Sequence, residues 1–131
     1  MIVEDPVFLT LGEVIEIHRD QIERYGGDPG LRDLGLLQSA IATPSTGFSG
    51  SYLHTDLFEM AAAYLYYIIQ NHPFIDGNKR TGAVASLVFL SLNNVEVKAG
   101  EKDFERTVMD VAQGKIDKTL VAEFFRKYSR Y

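Results

Sequence analysis

The chain contains no cysteine, which excludes a disulfide framework and any cysteine-based zinc or redox centre and is compatible with a reducing cytoplasm. Its three histidines, His18, His54 and His72, form no ligand cluster. Positive charge is scarce too. A formal net charge of −5 argues against general nucleic-acid binding, which needs a basic face, and points to protein as the partner. The longest apolar stretch, Met60 to Ile69, is far shorter than the ~20 residues that span a bilayer. Met1–Pro6 has neither the basic start nor the apolar core of a signal peptide, so a cytoplasmic location is expected. Strands are too few for a doubly wound nucleotide-binding sheet, and no G-x-x-x-x-G-K-S/T string marks a P-loop. There is no internal repeat and no low-complexity tract.

What is present concentrates in Asn71-His72-Pro73-Phe74-Ile75-Asp76-Gly77-Asn78-Lys79-Arg80-Thr81-Gly82, between two apolar segments. Pro73 disfavours helix at His72, Gly77 permits a positive φ, and Asn78 is a favoured N-cap for a helix running through Ala83–Ala85. The unpaired N–H groups and positive dipole end of such a helix start make an anion site, to which Lys79 and Arg80 add full charges. His72 can take a proton near neutral pH. Asp76 can hold Mg²⁺ against phosphate oxygens. A base, a metal ligand and a phosphate cradle together imply phosphoryl or nucleotidyl transfer.

At these positions H-P-F-I-D-G-N-K-R resembles H-x-F-x-D/E-G/A-N-G/K-R, the signature of the Fic/Doc (death-on-curing) family. The resemblance extends to the run from Ile17 to Gly27 and to Asp56-Leu57-Phe58-Glu59, so it covers most of the chain. Lys79 stands where nucleotide-transferring Fic members usually carry a second Gly, and Ala83 where they usually carry a second Arg. Both point to the Doc branch. What the resemblance implies is a toxin that acts as a protein kinase, taking ATP with Mg²⁺ and passing the γ-phosphate to a hydroxyl of translation elongation factor Tu. The outcome is growth arrest, and a small antitoxin protein holds the toxin in check. In that scheme His72 is the general base, Asp76 the Mg²⁺ ligand, Gly77, Asn78 and Lys79 the anion cradle, and Arg80 a clamp on phosphate oxygens. Phe74 pins the loop to the core.

At 131 residues and 46% hydrophobic, the chain reads as one domain over 1–131 with a real core. Thr10 with Glu13 forms a capping box and Leu9 with Val14 a hydrophobic staple, so a first helix begins near Leu11. Leu11, Val14, Ile15, His18, Ile22 and Tyr25 give it one buried face before Gly26-Gly27-Asp28-Pro29-Gly30 stops it. His18 on that face reads as a core histidine bonded to a backbone or carboxylate group. A second helix spans Asp33 to Ala42, with Leu34, Leu37, Ala40 and Ile41 inward, and Pro44 ends it. The polar, glycine-rich stretch Thr43–His54 is either a loose connector or, as the resemblance implies, a β-hairpin flap. In that case Phe48, Tyr52 and Leu53 dock a target segment by strand addition. Asp56 with Glu59 caps a third helix that is apolar nearly all round and belongs at the centre of a bundle. The fourth helix starts at the motif and ends at Asn93-Asn94. Val95–Val97 is extended, Glu101–Gln113 is a fifth helix closed by Gly114, and Asp117 caps a sixth with Leu120, Val121, Phe124, Phe125 and Tyr128 inward. The expected fold is a mostly α bundle of about six helices.

Two other activities fit the motif. One is AMP transfer to a protein hydroxyl; the other is an idle module that only recognises anions, against which His72 and Asp76 speak. Thr119–Glu123 matches the first five positions of the internal inhibitor S/T-x-x-x-E-G/N of some Fic relatives, but Phe124 occupies the sixth. The segment therefore reads as an ordinary amphipathic helix with Glu123 toward solvent.

Overall fold

A computed structural model gives the structure, which describes residues 5–130; most of the Met1–Pro6 segment lies outside them. Six helices carry the fold: α1 (Leu11–Tyr25), α2 (Leu34–Ala42), α3 (Leu57–Asn71), α4 (Asn78–Leu92), α5 (Glu101–Ala112) and α6 (Lys118–Tyr128). Two small antiparallel pairs join them, β1 (Gly47–Phe48) with β2 (Ser51–Tyr52), and β3 (Glu96–Val97) with β4 (Ser129–Arg130).

The local rules hold at the helix starts. Thr10 and Glu13 complete the capping box of α1, Asp33 accepts from Leu36 N–H, and Asp117 accepts from Leu120 N–H. At α3 the box is only half built. Asp56 accepts from Glu59 N–H at 2.8 Å, but the Glu59 carboxylate bonds Thr55, one residue earlier than a box requires. At α4 the expected cap is replaced. Gly77, in the left-handed conformation, is the N-cap, and Asn78 is the first helical residue with its side chain turned into the loop. After α2, Pro44 does not stop the chain abruptly. It sits in a 3₁₀ turn, Thr43–Ser45, whose first positions need no proline N–H.

α3 is the axis of the molecule, packed against α2, α4 and α6. Met60, Ala61, Ala62, Ala63, Tyr64, Leu65 and Ile68 on it are fully buried, and burying each large side chain contributes ~1.5–3 kcal/mol. Tyr64 packs at a tilt on Phe89 of α4, ring centroids 5.1 Å apart, and its hydroxyl accepts the Leu9 N–H at 2.9 Å. Burial pushes the phenol up to about 12, with the Leu9 hydrogen bond opposing. Tyr66 and Tyr67 pack edge to face, so the tyrosines of this helix are packing residues.

Three residues expected inward are exposed: Tyr25 at 66%, Leu34 at 46% and Leu120 at 48%. Each lies in a terminal turn, where a helix runs past its neighbours and periodicity stops predicting burial. Phe124 and Tyr128 are half-buried in an aromatic group with Phe104 and Phe125. β4 follows α6 directly and closes the chain onto β3, pairing Glu96 with Arg130 and Val97 with Ser129. Nothing in residues 129–130 alone signals a strand. Among the described residues, no helix is long and apolar enough to cross a membrane.

Candidate active site

The loop between α3 and α4 is short and held from below. Phe74, 2% exposed, stacks on His18 with ring centroids 3.7 Å apart and planes 5° apart. His18 is itself buried, and its Nε2 donates to the Asp76 carbonyl oxygen at 2.8 Å, which makes it a core histidine that braces the loop. Asn78 closes the loop on itself: its Oδ1 accepts from Phe74 N–H at 3.0 Å and its Nδ2 donates to Phe74 O at 2.9 Å. Gly77 has φ +82°, and a Cβ there would lie 3.2 Å from Ile22 Cδ1 and 3.5 Å from the His18 ring. Glycine is therefore favoured by conformation, and any side chain there would press on Ile22.

The α1–α2 loop grips the same segment from the side. Asp28 N–H donates to Asp76 Oδ2 at 2.8 Å, Ile75 N–H donates to Gly30 O, and Leu31 and Phe74 form an isolated antiparallel bridge. Arg80 is fixed likewise: its Nη2 donates to Gly26 O at 2.9 Å, and its guanidinium lies 5.4 Å from the Tyr25 ring centroid. By sequence alone Gly26–Gly30 reads as a helix stop and Tyr25 as core. The density of glycine and proline there was the available signal that a backbone segment closely approaches another.

These contacts put His72, Asp76, Gly77, Asn78, Lys79 and Arg80 around one open cavity of ≈ 710 Å³, with Tyr25, Gly26 and Gly27 on its rim. His72 and Lys79 are exposed, and neither side chain has a hydrogen bond or ion pair among the described residues. The Asn78 side chain is spent on Phe74, so only its backbone N–H can face an anion. With N–H groups unpaired through the first turn of α4 and two cations beside them, the cavity can take a phosphate chain.

Mg²⁺ fits the donor set at Asp76. The ion is usually held by one or two carboxylates, with phosphates and water completing its shell, and the Asp28 N–H engages only one carboxylate oxygen. No group of three or more histidine or acidic side chains able to hold a metal occurs among the described residues.

Phe48, Tyr52 and Leu53 are not part of this cavity. They belong to the β1–β2 hairpin, whose Ser49-Gly50 turn has positive φ at both residues, as a tight two-residue hairpin turn demands. Phe48 is 82% exposed and Leu53 62%, while Tyr52 is half-buried against Phe8 at 5.6 Å. Phe48 and Leu53 thus face solvent, and Tyr52 packs the hairpin onto Phe8.

Comparison with known proteins agrees with the motif. A family model described as the Fic/DOC family matches residues 8–90, from just before α1 through nearly all of α4. The chain is 36% identical over 115 residues to "Protein kinase doc" of Escherichia phage P1, covering 88% of this chain and 90% of that protein. It is 40% identical over 75 residues to "Toxin Doc" of Mycolicibacterium smegmatis, covering 57% of this chain and 58% of that protein.

Proposed function

This chain belongs to the Fic/DOC family, and from that premise we propose that it is a Doc-type toxin acting as a protein kinase. It transfers the γ-phosphate of ATP to a serine or threonine hydroxyl of an elongation factor Tu-like translation factor, and a small antitoxin protein restrains it. The names of its two relatives, a kinase and a toxin, support that class. The observation that carries the reading is the set of His72, Asp76, Lys79 and Arg80 on one cavity at the start of α4. Lys79 occupies the position where a second glycine would leave the helix start bare, which favours an inverted nucleotide with its γ-phosphate toward His72.

The residues divide the work. His72 accepts the proton of the target hydroxyl as its oxygen attacks the γ-phosphorus and the bond to the ADP leaving group breaks; general base catalysis of this kind contributes typically ~10²–10⁴-fold. The N–H groups of the α4 first turn and the Lys79 ammonium stabilise the phosphate oxygens. Arg80, held by Gly26 O and Tyr25, presents its remaining donors to them. Asp76, oriented by Asp28 and His18, would hold Mg²⁺. The ion would neutralise charge that develops on the phosphates. The hairpin edge, with Phe48 and Leu53 exposed, is the surface for an added target strand.

The test is incubation of the purified protein, Mg²⁺ and a translation factor with ATP labelled at the α- or the γ-phosphate, followed by intact mass. The expected product is a target heavier by one phosphate and carrying the γ-label, lost in Asp76→Ala and Arg80→Ala. Transfer of the α-label with a gain of AMP overturns the kinase assignment.

A further inference from the structure

His72 ends α3 in the left-handed conformation, φ 50° and ψ 53°, which is unfavourable for a non-glycine residue. Helices that end this way usually satisfy their last carbonyls through backbone N–H groups of the residues that follow. Here the following residue is Pro73, which has no N–H. The last carbonyls at the end of α3 have no intrahelical donor, and Arg32, on the segment leading into α2, supplies one. Its Nε donates to His72 O at 2.6 Å and its Nη2 to Asn71 O at 2.9 Å. The grip continues along the backbone, where Pro73 O accepts from Arg32 N–H at 2.7 Å and Asp33 N–H at 3.0 Å. A planar two-donor fork with permanent positive charge matches a pair of carbonyls at the negative end of a helix dipole.

We propose that Arg32 is a positioning residue for His72, fixing the backbone from which the imidazole projects into the cavity. Arg32 is not among the residues lining that cavity, so it acts on turnover through the end of α3 that carries His72. This inference rests on the catalytic reading of His72. A lysine at 32 keeps the charge but offers one donor group in place of the fork, and so holds the two carbonyls less rigidly.

The experiment combines kinetics with histidine-selective isotope labelling, in which the three histidines give three separable signals. In Arg32→Ala the backbone and ring resonances of His72 shift while those of His18 and His54 stay. The kcat for γ-phosphate transfer falls by about 10²-fold, the order expected from a displacement near 1 Å, and KM for ATP is unchanged. Arg32→Lys falls between this and the wild type. If Arg32→Ala melts early, Arg32→Gln and Arg32→Lys carry the same comparison. Unmoved His72 resonances, or a wild-type kcat where His72→Ala is inactive, overturn the inference. Wild-type turnover in His72→Ala identifies the catalytic reading as what failed, and the resonance shifts still decide whether Arg32 holds His72.

Discussion

Two loops flank α3 and are built in opposite ways. The one after it, residues 72–77, is held by side chains and backbone from α1, the α1–α2 loop and α4, through His18, Asp28, Arg32 and Asn78. The one before it carries a hairpin of two residue pairs, extended by a Leu53 N–H bond to Thr46 O, and leaves Phe48 in solvent. Chemistry needs groups fixed to fractions of an ångström, whereas recognition of an extended segment needs an open strand edge. The bonding is what the proposed kinase reading asks of the two loops.

The largest break is at the fixed loop. His72→Ala should lower γ-phosphate transfer by ~10²–10⁴-fold while leaving the thermal melt in place, because the side chain is exposed and has no hydrogen bond or ion pair among the described residues. Steady-state kinetics beside a melting curve checks this, and retained turnover counts against a base at 72.

A matched pair of glycines sharpens the contrast. Gly77 and Gly50 both have φ +82°, but a Cβ at Gly77 meets Ile22 and His18 whereas one at Gly50 meets nothing within 4 Å. Gly50→Ala should cost only the left-handed penalty, about 1 kcal/mol, and Gly77→Ala about 2–3 kcal/mol once crowding is added. Urea denaturation of the two variants measures the difference, and equal losses would mean the motif loop yields as easily as the hairpin.

The root of the hairpin has its own titrating group. His54, just after β2, is buried, and its Nε2 accepts from Lys118 Nζ at 3.1 Å. Burial, with the Lys118 charge second, holds its pKa below the usual histidine value. The folded protein then binds fewer protons at this site than the unfolded chain. Stability from a neutral His54 is present above ~6.5 and lost as pH falls through the depressed folded value. His54→Gln should flatten that part of the stability profile; an unchanged slope would assign it to other groups.

The smallest expected effect on stability lies at the hairpin tip. Phe48→Ala should leave it within about 0.5 kcal/mol yet weaken transfer to a protein target. Amide exchange should be fast from Phe48 to Leu53 in the isolated protein and slow with target bound. Full protection without target would erase the contrast between the loops.

The sequence by itself determined the six helices, because caps such as Thr10, Asp33, Asp56 and Asp117 and the apolar periodicity act within one or two turns. It also placed His72, Asp76, Lys79 and Arg80 close together simply by spacing them within nine residues. Only the tertiary structure decided how those groups are held. Asn78 gave up the cap to bond Phe74, Tyr25 left the core to carry Arg80, and β4 found β3 across the chain. Arg32 and Asp28 reach His72 and Asp76 over sequence separations of 40 and 48 residues. A local pattern records which residues share a helix face or turn. It cannot record which backbone carbonyl a distant guanidinium meets, because packing of the whole chain sets that distance.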